Sequence, residues 1–275
     1  MREPLLICAT GKKGVGKSYQ HNLMMQGYVM GDPYRGIRPR KCLIMDVNDE
    51  YGVYGIRSLS LEHVALYTVH PYVEIRRIRP FRPDGSRMGL DEWANAVFYV
   101  LQTFKNGLLL IEDPNKWHSD HLPADLVGAI CTNRHVGLDI LLSYQSIGRI
   151  NTKIWGNMNL LRLHKNTESV ERHKNKFPDK EEYMKIAEYM VNNEYAKGNK
   201  RFFVYVDMDE AKIRGDFSKE VYEAAVDDYL NERHRELIKP YLVQVDAKGK
   251  KMYNENTAKT KVKERIMGTY AEDLN

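Results

Sequence analysis

Short apolar runs alternate with helix-like and polar segments along the first two thirds of the chain. Because strands buried on both faces of a parallel sheet are continuously apolar, these runs predict the strands of an α/β sheet. Helices are expected at 17–30, at 91–104 with Asp91 as N-cap, and at 218–237 with Ser218 as N-cap. The pattern therefore predicts a doubly wound, mostly parallel sheet. The expected strands are 5–9, 41–46, 107–113, 137–145, 159–164 and 201–207, with two further short strands at 64–69 and 73–78.

The pattern changes after residue 207. Residues 208–245 are expected to form a helical extension, whereas 246–275 are polar and rich in lysine. Because this last segment has few large apolar side chains to bury, we expect a basic, flexible tail. The predicted domains are therefore a core over 1–207, a helical extension over 208–245 and a tail over 246–275.

One motif carries specific chemistry. Residues 11–18, Gly-Lys-Lys-Gly-Val-Gly-Lys-Ser, match GxxxxGK[ST] in full and lie between a predicted strand and a predicted helix. In such a loop, backbone N–H groups and the helix N-terminus surround phosphates. We expect Lys17 to contact the β- and γ-phosphates of a nucleotide and the Ser18 hydroxyl to bind Mg²⁺. The expected nucleotide-binding residues are Gly11, Lys12, Lys13, Gly14, Val15, Gly16, Lys17, Ser18 and Tyr19.

The apolar run 107–113 ends in two acids, Glu112 and Asp113, as a Walker B strand does. One acid of such a pair belongs to the Mg²⁺ shell and the other activates water. The usual order is Asp then Glu, and here it is reversed, so either division of roles is open. We assign Glu112 to Mg²⁺ and Asp113 to the water. Asp49 and Glu50 are expected to orient water, to contact a neighbouring subunit, or simply to lie in a solvated loop.

Gln145 ends the predicted strand 137–145 and is expected to lie beside the γ-phosphate, where its amide would sense hydrolysis. Arg134 precedes this strand and is the first candidate for an arginine that stabilises the γ-phosphate across a subunit boundary. Arg149 and Arg162 are the alternatives. The expected catalytic residues are Lys17, Glu112, Asp113, Gln145 and Arg134.

Composition narrows the class of protein further. The chain has 275 residues, 43% of them hydrophobic and 29% charged, which allows one α/β domain of about 200 residues and an extension. No run approaches the roughly 18 apolar residues of a membrane helix. Cys8, Cys42 and Cys131 form no CxxC pair and are expected to be reduced thiols. His118 and His121 have no further ligands in zinc spacing, so we expect no structural metal. The net charge of +5 does not by itself indicate nucleic-acid binding.

Four features occur in a suggestive order: the phosphate loop, Asp46-x-x-x-Glu50-Tyr51, the strand ending in Glu112-Asp113, and Arg-His-x-Gly-x-Asp-Ile-Leu-Leu-x-x-Gln over 134–145. Together, over residues 5–164, they resemble the HerA/FtsK superfamily of ring-forming, DNA-pumping P-loop ATPases. Residues 133–145 also resemble the zonula occludens toxin-like ATPases of filamentous phages. The resemblance implies a RecA-like P-loop fold of the ASCE type, a homo-oligomeric ring of five or six subunits, ATP and Mg²⁺ bound between subunits, and double-stranded DNA in the centre.

The chain is short for cellular members of that superfamily and fits a viral genome-packaging ATPase better. We therefore expect an ATP-driven DNA translocase of a phage or virus, acting in the host cytoplasm and transiently at the procapsid, with a portal or procapsid protein as a further partner and no membrane. One alternative is a zonula occludens toxin-like phage assembly and export ATPase. Another is a nucleotide-dependent switch without translocation. A third is a nucleoside or small-molecule kinase, in which Arg76, Arg77, Arg79 and Arg82 would serve a lid.

Overall fold

The computed structural model describes residues 3–117, 124–132 and 136–272, and the chain divides into two compact units, 1–168 and 169–275. The strands of the first unit are all parallel and lie in the order β3-β2-β4-β5-β1-β6. The predicted α/β fold with a doubly wound, mostly parallel sheet is confirmed. These strands are β1 (Leu6–Thr10), β2 (Lys41–Met45), β3 (Ile75–Ile78), β4 (Gly107–Glu112), β5 (Asp139–Tyr144) and β6 (Leu160–His164).

The central strands are continuously apolar because helices and loops cover both faces of the sheet. Every residue of β4 and β5 is buried. Apolar side chains of β1, β2 and β4 form one cluster with Met25 of the first helix. The helices of the first unit are α1 (Lys17–Met30), α2 (Val64–Val69), α3 (Leu90–Thr103), α4 (Ala124–Cys131) and α5 (Thr152–Trp155).

Two expectations for this unit are wrong. Residues 64–69 form α2 and not a strand, because Val64 and Tyr67 are the buried positions and their spacing of three is helical. Asp91 does not cap α3. The helix begins one residue earlier, and its N-cap is Gly89, whose N–H donates to Glu92 Oε2 over 2.7 Å. Asp91 lies within the first turn instead.

The loop over 31–40 is fixed to the sheet by the buried carboxylate of Asp139. Asp139 Oδ2 accepts hydrogen bonds from Arg40 at 2.6 Å and from the Tyr28 hydroxyl at 2.7 Å. The other oxygen accepts the Leu5 N–H at 2.7 Å. Since Asp139 is fully buried, its charge depends on these donors, and Arg40 supplies the only full positive charge among them.

Replacing Arg40 with Met should leave a buried carboxylate without its cation and lower the free energy of unfolding by about 2 kcal/mol or more. Arg38→Met, at an exposed position of the same loop, is the matched control and should change stability by about 0.5 kcal/mol or less. Urea unfolding of both variants measures the difference. Equal midpoints for the two variants would show that the Arg40–Asp139 pair does not stabilise the fold.

The described residues of the second unit form three α-helices and an antiparallel strand pair, besides two 3-10 helices. The strands are β7 (Phe203–Asp207) and β8 (Lys212–Arg214), and the helices are α6 (Glu181–Ala196), α7 (Lys219–Leu242) and α8 (Glu255–Glu272). The predicted helix at 218–237 is confirmed as α7, which continues through Pro240 near its end. The sequence analysis did not predict α6.

The expectation of a flexible tail over 246–275 is wrong for Glu255–Glu272, which form α8. Ala258, Val262 and Ile266 recur every four residues and are buried. This spacing places them on one face of the helix, which packs against α7. The signal is weak in the sequence because it consists of only three side chains of modest size.

The basic residues of α8 also have partners within the second unit. Lys263 lies 2.7 Å from Asp227 and 2.9 Å from Glu223. Arg265 donates to both carboxylate oxygens of Glu182, at 3.0 and 2.7 Å. The charge that suggested a solvated tail therefore attaches α8 to the other two helices. The division of function among 1–207, 208–245 and 246–275 stays a prediction.

Candidate nucleotide-binding and hydrolysis site

The loop over 11–16 joins β1 to α1 and requires glycine at three positions. Gly14 and Gly16 have φ values of 83° and 84°, in the left-handed region. At Gly11 the constraint is close approach, because a Cβ atom there would lie 2.6 Å from the Cβ of His164 on β6. The motif glycines therefore give the loop its shape.

The start of α1 favours an anion. No side chain caps this end of the helix in the described structure, and its first turn contains no acid. Because the first N–H groups of a helix have no intrahelical partners and carry the positive end of its dipole, they suit a phosphate. Lys17 Nζ donates to the carbonyl oxygens of Gly11 and Lys12, the latter at 3.2 Å. Burial lowers the pKa of Lys17, and the acids at the end of β4 oppose this shift.

The nine residues expected to bind nucleotide are consecutive and form this loop and the start of α1. Val15 is buried and anchors the loop, whereas Lys13, Gly14 and Tyr19 are exposed. The Lys12 N–H donates to the carbonyl oxygen of Lys165 over 2.8 Å. The loop is thus attached to the chain beyond β6 as well as to α1.

The carboxyl ends of neighbouring strands bring the predicted acids to the same edge. Because β2, β4, β5 and β1 are adjacent and parallel, Asp46, Glu112, Gln145 and Gly11 all lie where their strands end. This is the edge at which ligands bind in open α/β sheets.

Glu112, the last residue of β4, is a buried acid with one oxygen engaged. Its side chain is 4% exposed, and the Tyr51 hydroxyl donates to Oε1 over 3.0 Å. Oε2 is buried and has no hydrogen-bond partner among the described residues. Burial raises the pKa of Glu112 to about 8, against the hydrogen bond from Tyr51.

Whether the site suits Mg²⁺ depends on the oxygen atoms that it offers as ligands, and the unpartnered oxygen of Glu112 is one of them. Mg²⁺ prefers oxygen ligands and commonly takes only one or two from the protein, with phosphates and water supplying the rest. The Ser18 side chain lies beside the Tyr51 hydroxyl, which donates to Glu112. Ser18 and Glu112 therefore offer a hydroxyl and a carboxylate beside the phosphate loop, and this pair fits the ion. No group of three or more acidic, histidine or cysteine side chains suited to a metal occurs among the described residues.

Asp113 has a different environment from Glu112. Its backbone is left-handed, with φ of 40°. Asp113 Oδ2 accepts hydrogen bonds from the amides of Gln145, at 3.0 Å, and Asn48, at 3.1 Å. Lys116 Nζ lies 3.6 Å from the same oxygen. The structure therefore brings together Asp113 and Gln145, two of the residues predicted to act in catalysis, and adds Asn48 from the chain after β2.

Asp46 and Asp49, which follow β2, bind backbone N–H groups and arginines of their own unit. Asp46 accepts the N–H groups of Glu50, at 2.9 Å, and Tyr51, at 3.1 Å, and also binds Arg77. Asp49 is bound by Arg77 and, through both oxygens, by Arg79 at 2.8 and 2.7 Å. Arginine hydrogen bonds lower the pKa of Asp49, so that it stays ionised. These ion pairs hold Asp49 within its own unit, which differs from the solvated loop that was one of the three expectations for it, whereas Glu50 is exposed. A role of Asp49 or Glu50 in orienting water or contacting a neighbouring subunit stays a prediction.

The arginines proposed for a kinase lid are engaged in the same way. Arg76 donates to Glu74 over 2.7 Å, and Arg82 binds Glu92 through Nε at 2.9 Å. Together with Arg77 and Arg79, they all have acidic partners within their own unit. In the described structure, none of these arginines is left available to bind the phosphate acceptor of a kinase.

The candidates for an arginine acting between subunits separate by burial. Arg162 on β6 is 1% exposed, so it cannot reach a neighbouring subunit. Arg149 is exposed and lies in the short turn after β5. Arg134 lies outside the described residues, as do His118 and His121. The assignment of the trans-acting arginine to Arg134 or Arg149 stays a prediction.

Sequence reasoning did not assign a role to Asn48, Tyr51 or His21. Tyr51 and Asn48 fall in the segment after β2 that contributed to the family resemblance, and this was the available signal. His21 lies one turn after Lys17 on α1, and its Nδ1 is 2.9 Å from the Tyr51 hydroxyl oxygen. Nothing in the local sequence connects it with Glu112, from which it is separated by most of the first unit.

No protein-family model matches the chain, and no curated protein matches it. Solved structures of other proteins are similar to it. The genome packaging NTPase B204 from Sulfolobus turreted icosahedral virus 2, in complex with AMPPCP, is 18% identical and aligns over 76% of this chain and 95% of its own, with a TM-score of 0.48. The N-terminal domain of zonular occludens toxin from Neisseria meningitidis is 13% identical, over 58% and 76%, with a TM-score of 0.34. The Legionella pneumophila ATPase DotB is 11% identical, over 96% and 53%, with a TM-score of 0.38. None of these likenesses assigns a function to this chain.

Within the described ranges, no helix combines the length and the apolar character that crossing a bilayer requires. Cys8, Cys42 and Cys131 are free thiols, and the first two are buried.

The raised pKa of Glu112 makes stability depend on pH. The folded state prefers its protonated form, so its contribution is full below the ordinary pKa of 4.5 and is lost as pH rises through about 8. Glu112→Gln is neutral throughout and should lack this decline. Urea unfolding with EDTA and without nucleotide measures the difference. Between roughly pH 5 and pH 8.5, the free energy of unfolding of Glu112→Gln should rise by about 1–3 kcal/mol relative to that of the wild type. Glu3→Gln, at an exposed acid, is the control and should show no gain. A constant difference between Glu112→Gln and the wild type would contradict the burial of this carboxyl.

Proposed function

We propose that the chain is a Mg²⁺-dependent ATPase that binds the triphosphate in the loop over 11–18. The observation that supports this most strongly is a juxtaposition at one sheet edge. A glycine-shaped anion site at the start of α1 lies beside Glu112, with its unpartnered oxygen, and Asp113, which two amides hold in place. Together these provide phosphate binding, cation binding and a base.

The phosphates would exchange partners with Lys17. Its ammonium group donates to the loop carbonyls of Gly11 and Lys12, and the β- and γ-phosphates are stronger acceptors for it. Ser18 and Glu112 would hold Mg²⁺, which offsets the negative charge of the phosphates when it is bound. A nearby cation also favours the carboxylate form of Glu112.

Asp113 is the residue that we assign to the attacking water. Gln145 and Asn48 both contact Oδ2, and we assign Oδ1 as the proton acceptor. The water oxygen bonds to the γ-phosphorus, the water proton passes to Asp113, and the bond from that phosphorus to the bridging oxygen breaks. The products are ADP and phosphate. Gln145 is exposed and touches the base directly, which suits a side chain that reports hydrolysis to its surroundings.

The proposed process is DNA translocation by a homo-oligomeric ring of the HerA/FtsK type, as in a viral genome-packaging motor, with a portal or procapsid protein as partner. The order of the four motifs over residues 5–164 supports this part. Arg149 is exposed beyond the end of β5, near the strand edge that carries the nucleotide site, as an arginine acting between subunits would have to be. The kinase alternative is not supported, because the arginines that suggested it have acidic partners in the first unit.

Lys17→Ala should abolish ATP turnover while the protein remains folded. Lys17 supplies the positive charge on the β- and γ-phosphates and is not part of the apolar core. Phosphate release measures turnover, and circular dichroism checks the fold. Lys105→Ala, at an exposed lysine far along the chain from the loop, is the control and should retain turnover. Near-normal turnover in Lys17→Ala would remove the loop from the proposed site.

Double-stranded DNA should raise the ATP turnover of the oligomeric fraction, and longer DNA should raise it further, because a translocating motor hydrolyses ATP as it moves. Phosphate release with no DNA, with short duplexes and with long duplexes measures this. Turnover that does not change with DNA would favour a nucleotide-dependent switch. Stimulation by nucleosides, with transfer of phosphate to them, would favour a kinase.

A further inference from the structure

The Tyr51 hydroxyl connects a side chain of β4 with a side chain of α1. It donates to Glu112 Oε1 at the end of β4 over 3.0 Å, and His21 Nδ1 of α1 lies 2.9 Å from its oxygen. The Ser18 side chain, at the start of α1, lies beside it. Tyr51 is fully buried, so water does not substitute for these contacts.

The direction of each hydrogen bond in this cluster follows from the number of donors and acceptors. A phenol has one proton to donate and two lone pairs that accept. The proton goes to Glu112, which leaves the Tyr51 oxygen to accept from His21. His21 must therefore be protonated at Nδ1, as a neutral imidazole whose buried surroundings disfavour a charge. Each of the two contacts then has one donor and one acceptor.

This arrangement determines which oxygen atoms face a cation. Glu112 uses Oε1 for Tyr51, and the oxygen without a partner among the described residues is Oε2. A cation ligand needs lone pairs and no proton in the way.

We propose that Tyr51, held by His21, is a positioning residue that orients Glu112, beside Ser18, as a ligand for the divalent cation of the nucleotide. The inference rests on the proposed function, because it concerns the cation of that same site. Tyr51 binds neither nucleotide nor metal itself. It acts through Glu112, in the way that outer hydrogen bonds fix the ligands of other metal sites.

Metal affinity tests this directly, separately from catalysis. The wild type and Tyr51→Phe are first titrated with a non-hydrolysable ATP analogue in EDTA, where the phosphate loop alone determines affinity. They should bind it equally, since Phe keeps the ring and loses only the hydroxyl. Mn²⁺ is then titrated at fixed pH with saturating analogue and followed by electron paramagnetic resonance. Tyr51→Phe should bind Mn²⁺ about tenfold or more weakly.

Tyr67→Phe is the matched control. Tyr67 is also buried, and its hydroxyl donates to the carbonyl oxygens of Cys42, at 3.1 Å, and Glu74, at 2.6 Å. These lie at the opposite end of β2 and β3 from the candidate site. Removing this hydroxyl loses two hydrogen bonds to the backbone and should leave Mn²⁺ affinity unchanged. This control distinguishes an effect at the metal site from a general loss of stability.

A pair of His21 variants provides a second, independent readout. His21→Asn keeps an N–H donor near the position of Nδ1 and should retain Mn²⁺ affinity, whereas His21→Leu removes the donor and should weaken it as Tyr51→Phe does. If Tyr51→Phe does not fold, the two His21 variants test the inference instead. Wild-type Mn²⁺ affinity in both Tyr51→Phe and His21→Leu would overturn the inference and leave the proposed function standing. Failure of the wild type to bind the analogue or Mn²⁺ would overturn both.

Discussion

The parallel register of β2, β4, β5 and β1 is the constraint on which the candidate site depends. These strands are neighbours, and all of them end at one edge of the sheet. Residues that lie far apart in the chain therefore come together at this edge because of the sheet itself. No separate contact between each pair is needed to bring them there. The phosphate loop follows β1, the two acids end β4, Gln145 follows β5, and Asn48 and Tyr51 follow β2. Shifting one strand by a residue would turn its terminal side chain to the opposite face.

Burial gives the two acids at the end of β4 different chemistry. Glu112 points into the unit, where removal from water raises its pKa to about 8 and where Tyr51 satisfies only one of its oxygens. Asp113 follows it in a left-handed conformation and meets the amides of Asn48 and Gln145 at the surface of the site. The reversed order of the two acids thus corresponds to two environments, one suited to a cation and one to a water.

Continuous apolar runs were sufficient to predict β1, β2, β4 and β5, and the loop motif was sufficient to predict the strand, glycine loop and helix around residues 11–18. The sequence could not distinguish strand from helix at 64–69, because a short run that is apolar except for Thr68 satisfies both periods. It did not reveal α8, whose buried side chains Ala258, Val262 and Ile266 are few and lie among many lysines. Within the site, it brought together Asp113 and Gln145 but not Tyr51 and His21. Those two meet only through the packing of α1 against the turn after β2, and no local pattern reports such a contact.

A structure of the protein with Mg²⁺ and a non-hydrolysable ATP analogue tests the central claim most directly. The account predicts the triphosphate in the loop over 11–18, with the Lys17 ammonium moved from the loop carbonyls to the phosphates. It also predicts the metal in contact with Ser18 Oγ and Glu112 Oε2, and the Tyr51 hydroxyl still bonded to Glu112 Oε1. A nucleotide bound elsewhere, or a metal that contacts neither Ser18 nor Glu112, would contradict it.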